Sequence, residues 1–175
     1  MSTHKSTNET PTHGQSSSSS TLTAIAGAIT QASLSRLQVG VAAGEFLVTA
    51  EVMPPKGGNP TKMLAMAQGL RDRVHAINIT DGSRAVLRMS SLAGAVYLQQ
   101  HGIEPIFQLA CRDRNVIALQ ADLMGAQALG IRNVLALTGD PIKAGDHPTA
   151  RAVFELESVR LLRLIQALNH GVDAN

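Results

Sequence analysis

The sequence predicts an α/β fold in which four strand–helix units follow one another along the chain. Short apolar, β-branched runs alternate with longer segments of helical periodicity. The predicted strands end near Glu51, Thr80, Ala110 and Thr138, so successive ends are 29, 30 and 28 residues apart. Hydrophobic residues make up 44% of the 175 positions, enough for one domain with its own core. Alternating units of this length build parallel sheets with right-handed crossovers.

The residues before the first unit fall into two segments. Residues 1–20 are almost all Ser, Thr, His, Gln, Asn and Gly, and such a composition cannot bury enough apolar surface to offset the entropy of ordering. We expect a disordered tail there. Residues 21–44 turn to Ala, Leu, Ile and Val, with Leu37 and Val41 at helical spacing, and predict a leading helix that ends at Gly44.

The four units predict four strands and four helices. The strands are 46–53, 74–80, 105–110 and 133–138. The helices are 61–70, a segment from Ser90 or Ser91 to Gln100, 116–129 and 153–168. Turn residues mark the boundaries, since Pro54-Pro55 stops the first strand, Asp81-Gly82 closes the second and Gly130 ends the third helix.

Composition and charge exclude several classes of function. Aromatic residues are only 2%, which argues against a base-stacking surface, and 15 basic against 13 acidic residues leave +2, too little for a nucleic-acid footprint. No apolar run approaches the roughly 18 residues of a membrane span, and the N-terminus lacks the pattern of a signal peptide. The single cysteine, Cys111, fits a reducing compartment. We expect a cytoplasmic protein without nucleic-acid or membrane partners.

Two parallel-sheet architectures fit the alternation, and the pattern favours one. A doubly wound sheet has a Gly-rich phosphate loop after its first strand, and Glu51-Val-Met-Pro-Pro55 is not such a loop. A (β/α)8 barrel has eight units over about 250 residues. Residues 45–175 have room for four, so the sequence predicts the first four β/α units of a (β/α)8 TIM barrel.

Polar residues stand where each predicted strand ends, which is where parallel sheets bind ligands. They are Glu51 at the first strand, Asn78, Thr80 and Asp81 at the second, Gln108 and Cys111 at the third, and Thr138 and Asp140 at the fourth. Glu51 lies within an apolar strand, before a rigid Pro-Pro corner. Burial there would raise the pKa of its carboxyl and let it hold a proton near neutrality, as a general acid must. Asp140, on the same rim, adds a second carboxylate.

Three other features have both a chemical and a structural interpretation. Arg112-Asp113-Arg114 is an anion clamp or, as we favour, a solvated loop with a cap for the next helix. Asp81-Gly-Ser-Arg84 is a plain turn or a phosphate site of backbone N–H groups and an arginine. Cys111 is a nucleophile or, as we favour, a small apolar residue at the end of a buried strand. No histidine pairs with cysteine or carboxylate at metal-ligand spacing, so we expect no metal site.

Taken in order, four motifs resemble the methylenetetrahydrofolate reductase family over roughly residues 34–168. The motifs are Thr49-Ala-Glu-Val-Met-Pro-Pro55, Asn78-Ile-Thr-Asp-Gly82, Gln108-Leu-Ala-Cys111 with Asp113-Arg-Asn115, and Gly130-Ile-Arg-Asn-Val-Leu-Ala-Leu-Thr-Gly-Asp140. The family is a (β/α)8 barrel that binds FAD noncovalently and passes a hydride from NAD(P)H to 5,10-methylenetetrahydrofolate. The resemblance therefore implies a flavoprotein of tetrahydrofolate interconversion and methionine biosynthesis.

The resemblance also implies roles for individual residues. Glu51 matches the family's acid, which protonates the folate and opens its five-membered ring to an iminium. Asp140 matches an aspartate near the flavin and the pterin. The implied cofactor-binding positions are Thr80, Asp81, Gln108, Thr138, Gly139 and Asp140, with Asp140 also binding substrate. Gln108 and Thr138 depart from the family pattern, because the better-known bacterial members have histidine and arginine there.

The resemblance covers only the first half of the family's barrel. The second half helps to hold the FAD, and a four-strand sheet has open edges. Two hypotheses follow. The first is a flavin-dependent reductase acting as a truncated or half-barrel chain, and the second is a non-catalytic half-barrel module for binding or assembly. Self-association or a second half-barrel chain is the macromolecular partner that this incompleteness implies.

Overall fold

The computed structural model describes residues 34–173, which form a sheet of parallel strands flanked by helices. The strands are β1 Thr49–Val52, β2 Ala76–Ile79, β3 Pro105–Ala110 and β4 Asn133–Leu137. The helices are α1 Arg36–Ala43, α2 Thr61–Leu70, α3 Ser91–Gln100, α4 Val116–Ala128 and α5 Ser158–Asn169. Strand and helix alternate from β1 to α5, which confirms the predicted α/β class.

The strands lie in the order β1-β2-β3-β4, and every neighbouring pair is parallel. This order differs from that of a doubly wound sheet, in which the strand order reverses at a switch point. Val52 lies opposite Ile79, and Ile79 lies opposite Phe107, so the three side chains share one face of the sheet. Helices α2 to α5 pack their apolar residues on this face.

The core between this face and the helices consists of two clusters. One contains Val52, Met63, Ala67, Ile77, Ile79, Leu98 and Ile103. The other contains Ala95, Phe107, Leu109, Cys111, Leu119, Ala126, Ile131, Leu161 and Leu164. Burial of one large aliphatic side chain contributes about 1.5–3 kcal/mol. This packing fixes the strands and therefore the side chains that point the other way.

The opposite side of the sheet, which we call the second face, carries Glu51, Asn78, Gln108 and Leu135. Glu51 lies opposite Asn78, and Gln108 lies opposite Leu135. Glu51 on β1 and Leu135 on β4 are exposed, whereas Gln108 on the central strand β3 is buried. Glu51 is also the only ionisable residue within the four strands.

The last helix starts five residues later than the sequence pattern predicts. Phe154 has a φ of +43°, which a helix does not accommodate, so the chain enters α5 only after it. The Glu157 carboxylate then caps α5 by accepting hydrogen bonds from the N–H groups of Val159 and Arg160. The prediction of a helix from residue 153 is therefore wrong by about one and a half turns.

Helix α1 begins and ends at local caps. The Ser35 hydroxyl accepts a hydrogen bond from the N–H of Gln38, and Gly44 ends the helix with a φ of +71°. The rest of the predicted leading helix and the predicted disordered tail at 1–20 lie outside the described residues. Within residues 34–173, no helix has the length and apolar character needed to cross a membrane.

Candidate functional site at the carboxyl ends of the strands

Glu51 and Gln108 meet across the sheet on the second face. The side-chain amide Nε2 of Gln108 donates a hydrogen bond of 3.1 Å to Oε2 of Glu51. Gln108 is only 5% exposed, so burial limits the movement of its amide, and its backbone carbonyl accepts a hydrogen bond from the buried Ser91 hydroxyl. Glu51 itself is exposed, so the burial that the sequence analysis expects is wrong for the described chain. The carboxylate is oriented at one oxygen and accessible to a ligand.

Two buried polar atoms beside this pair have no hydrogen-bond partner among the described residues. They are Oδ1 of Asn78, on β2 opposite Glu51, and Oγ1 of Thr80, one residue beyond β2. Thr80 is only 1% exposed. A buried oxygen without a donor costs free energy, and native structures usually leave such a group only where water or a ligand satisfies it. Asn78 and Thr80 are therefore candidate ligand contacts.

Asp81 is engaged within the protein. Its Oδ2 accepts hydrogen bonds from the N–H of Ala110 at 2.9 Å and from Nη1 of Arg114 at 2.6 Å. The Asp81 side chain is 8% exposed and the Arg114 side chain is 16% exposed. Arg114 also pairs with Asp122 at 2.8 Å. Asp81 thus joins the end of β2 to the end of β3. This arrangement gives the carboxylate a structural role that the sequence motif alone did not reveal.

Arg112 is buried, which contradicts the prediction of a solvated loop at Arg112-Asp113-Arg114. The residue is only 4% exposed, and its guanidinium binds the Asp113 carboxylate with two hydrogen bonds of 2.9 and 2.7 Å. Nη1 also donates to the carbonyl of Gly82 at 3.1 Å. The hydrogen bond to Asp113 raises the pKa of the Arg112 guanidinium above its ordinary value. The residue that caps α4 is Asn115, the residue after this loop.

The remaining predicted site residues lie in the segment after β4. The Thr138 hydroxyl oxygen accepts a hydrogen bond from the N–H of Ser158, the first residue of α5. Gly139 has a φ of +96°, and a Cβ atom there would lie 2.8 Å from Cβ of Arg112. Glycine is required at this position for both reasons. Asp140 is exposed, and its Oδ2 accepts a hydrogen bond of 2.6 Å from the N–H of Arg84.

The turn after β2 already holds an anionic group, and that group is Asp140. Gly82, Arg84 and Ala85 have φ values of +56°, +57° and +56°. Backbone N–H groups in such left-handed turns form concave sites for anions. Because the N–H of Arg84 is bonded to Asp140, the phosphate interpretation of Asp81-Gly-Ser-Arg84 has a competitor inside the protein.

Two residues at this rim were missed by sequence reasoning. Asp146, after β4, accepts a hydrogen bond from the N–H of Leu87 at 2.9 Å and lies 3.5 Å from Lys56 Nζ. Hydrogen bonds from Leu87 and His147 lower the pKa of Asp146 to about 2. Arg88 donates from Nη1 to the carbonyl of Pro54 at 3.0 Å. These contacts span distant parts of the chain and have no periodic signature in the sequence.

Cys111 lies in the hydrophobic core, as its position at the end of a buried strand predicts. It is fully buried, and this burial raises the pKa of its thiol. Among residues 34–173, no group of three His, Cys, Asp or Glu side chains could hold a metal ion.

The fold and this set of side chains define an α/β protein whose polar and charged groups gather where parallel strands end. The family model described as methylenetetrahydrofolate reductase matches residues 36–174. The chain therefore belongs to the methylenetetrahydrofolate reductase family, as the four sequence motifs predicted. At the family level it is a folate-related oxidoreductase of one-carbon metabolism, from a family that is generally flavin-dependent. No curated protein matches the chain.

Proposed function

We propose that the chain carries the folate-reducing site of an oxidoreductase that converts 5,10-methylenetetrahydrofolate to 5-methyltetrahydrofolate with FAD and NAD(P)H. The observation that carries the proposal is the oriented carboxylate of Glu51, the only ionisable group within the strands. It stands beside two buried oxygens that lack partners among the described residues. In this proposal the four units correspond to the first half of a (β/α)8 barrel.

The residues on the second face fit a flavin ring. Such a ring has apolar surfaces and an edge of hydrogen-bonding nitrogen and oxygen atoms. The Thr80 hydroxyl is a potential donor without an acceptor, and Leu135 supplies exposed apolar surface on the same side of the sheet. When bound, FAD would take a hydride from NAD(P)H and deliver it to the folate. Thr80, Gln108 and the turn at Gly139 are the positions that we propose for its binding.

Glu51 is the proposed general acid. Gln108 holds Oε2, so Oε1 is the oxygen that remains for a substrate. In the proposed step, Oε1 donates a proton to a nitrogen of the five-membered folate ring. The C–N bond to that nitrogen then breaks and leaves an iminium. A folate bound over the exposed carboxyl would displace water from it.

Asp140 is the proposed contact for the pterin. Its Oδ2 is bonded to the N–H of Arg84, so Oδ1 is the oxygen that remains for a donor on the substrate. A carboxylate held in this way accepts a hydrogen bond without reorganising, which is favourable for orienting a ligand. Asp140 therefore serves as a positioning group in this proposal, and Glu51 carries the proton.

The decisive experiment separates the two half-reactions of the Glu51→Gln variant by stopped flow. Reduction of bound flavin by NAD(P)H should be retained, because the amide removes no flavin contact. Folate reduction should fall by about 10²–10⁴-fold, the usual contribution of general acid catalysis. Glu45→Gln, an exposed residue outside the site, is the matched control and should leave both steps unchanged. Equal slowing of both steps, or unchanged folate reduction, would refute the role.

The exposed apolar surface of β4 favours a second candidate, a non-catalytic assembly module. Leu135 is 41% exposed, and Leu162 of the flanking helix α5 is 53% exposed. A second chain adding a parallel strand beside β4 would cover such side chains. Light scattering and an absorbance spectrum of the purified protein distinguish the candidates. A yellow protein with a flavin spectrum supports the reductase, whereas a colourless dimer supports the module.

A further inference from the structure

A cleft opens among the loops that follow β2, β3 and β4. Its volume is about 280 Å³. The apolar part of its lining includes Val86, Leu87 and Met89. Its charged part consists of three arginines, Arg88, Arg112 and Arg114, and the carboxylates Asp81 and Asp113. Sites for whole small molecules usually have 300–1,000 Å³. The cleft is therefore sized for one end group of a ligand.

Two of the three arginines are already neutralised by the protein. Arg112 is bound to Asp113 through two hydrogen bonds, and Arg114 forms ion pairs with Asp81 and Asp122. These pairs are short, at 2.6 to 2.8 Å, and the pair of Arg114 with Asp81 joins the ends of β2 and β3. Their guanidinium groups therefore act as framework and leave little positive charge for a ligand.

Arg88 differs from Arg112 and Arg114. It takes part in none of the ion pairs found among residues 34–173. Its Nη1 donates a hydrogen bond to the carbonyl of Pro54, and its buried Nε has no acceptor among the described residues. A partly buried guanidinium without a carboxylate is unfavourable unless an anion accompanies it. Arg88 is thus the unsatisfied cation of this cleft.

We propose that the cleft binds an oxyanion, the phosphate or carboxylate end group of a small ligand, and that Arg88 is the charge that holds it. The planar guanidinium suits both groups, because two parallel N–H donors match two oxygens of either anion. The site is distinct from the proposed Glu51 and Asp140 contacts, and it does not depend on the proposed reductase activity.

Isothermal titration of the purified chain tests the proposal. The probes are inorganic phosphate and glutarate, each at ionic strength matched with chloride, so that the two sources of anion are distinguished. Saturable one-site binding of at least one probe is expected, and the tighter probe identifies the end group. Absence of saturable binding by both would overturn the proposal. Because neither flavin nor folate is present, failure here is separate from failure of the reductase assay.

Variants then test the role of Arg88. Arg88→Gln should weaken binding by about tenfold or more, as expected for loss of one charged hydrogen bond. Lys143→Gln removes an exposed charge from the same rim outside the cleft lining and should change affinity by less than about twofold, as expected for a screened surface charge. Equal affinity of Arg88→Gln and the wild type would refute the assignment.

A second variant keeps the test informative if Arg88→Gln folds poorly. Leu87 lines the cleft but is 60% exposed, so Leu87→Glu should fold and place a negative charge beside the site. It should weaken anion binding by repulsion while Leu87→Gln, its uncharged control, does not. Unchanged binding by Leu87→Glu would contradict an anion in this cleft.

Discussion

Oδ2 of Asp140 accepts a hydrogen bond of 2.6 Å from the backbone N–H of Arg84, a residue with a φ of +57°. Left-handed backbone is unfavourable for an L-residue by about 1–2 kcal/mol, so something must hold Arg84 in place. The carboxylate supplies one such contact, since it joins the turn after β2 to the segment after β4. The same aspartate that we propose as a pterin contact therefore also restrains the neighbouring turn.

The first prediction concerns this restraint. Asp140→Ala should lower the free energy of unfolding by about 1 kcal/mol, a typical net value for one hydrogen bond. Asp140→Asn should lower it less, because the amide oxygen still accepts the hydrogen bond. Urea unfolding followed by far-UV circular dichroism measures both. Asp140→Ala and Asp140→Asn both as stable as the wild type would contradict the restraint.

Most elements of the fold could be predicted because their signals are local. The bounds of α2 and β3 agree with the prediction at both ends, since Pro60 precedes the helix and Pro105 begins an unbroken apolar strand. The start of α5 could not be found in this way. It depends on the left-handed backbone of Phe154 and on the Glu157 cap, neither of which interrupts the apolar spacing that predicts the helix.

The site was predictable as a set of strand ends, but its contacts were not. Glu51 and Gln108 are 57 residues apart in the sequence, and parallel-sheet geometry brings them to the same face near the carboxyl ends of the strands. That geometry does not specify the hydrogen bond between them. The burial of Arg112 arises from two distant turns, at Gly82 and Gly139, that pack against it. The exposure of Glu51 depends on what covers an outer strand, which local sequence does not encode.

The second prediction compares the same substitution at two glycines. Gly139→Ala should destabilise the protein by about 2 kcal/mol, because it forces an L-residue to a φ of +96° and brings Cβ close to Arg112. Gly69→Ala in α2 should instead stabilise it by about 0.5–1 kcal/mol, since that position is open and alanine favours helix. Thermal and urea unfolding of both variants test whether the two changes in stability have opposite signs. Two changes of the same sign would contradict the backbone argument.

The third prediction concerns the ion pair between Asp81 and Arg114. Asp81→Asn leaves a largely buried guanidinium without one of its two carboxylates, so the free energy of unfolding should fall by about 3 kcal/mol. Asp72→Asn, the same change at an exposed position, should stay within about 0.5 kcal/mol of the wild type. Urea denaturation gives both values. If Asp81→Asn lowers the free energy of unfolding no more than Asp72→Asn does, the ion pair contributes nothing to stability.

The fourth prediction concerns Cys111. The thiolate is the reactive form of cysteine, and burial both raises the pKa of this thiol and excludes reagents. At pH 8 the folded protein should therefore react with a thiol reagent more slowly than the urea-unfolded protein, in which the thiol is exposed. Colorimetric titration of the single thiol measures both rates. Rapid reaction of the folded chain would contradict the buried position.

The fifth prediction concerns acid stability and Asp146. The pKa of this carboxyl is lowered from 3.8 to about 2, chiefly by the N–H of Leu87 and then by His147. Its ionised form is therefore favoured by folding. That contribution is present above the unfolded value and is lost as the pH falls through 2. Asp146→Asn should be less stable than the wild type at pH 6, and the difference should shrink steadily below pH 4.

Urea unfolding at pH values from 6 down to 2.5 measures the difference, and Asp72→Asn, at an exposed turn, is the control. A difference that stays constant over this range would show that the Leu87 and His147 contacts do not favour the ionised carboxyl.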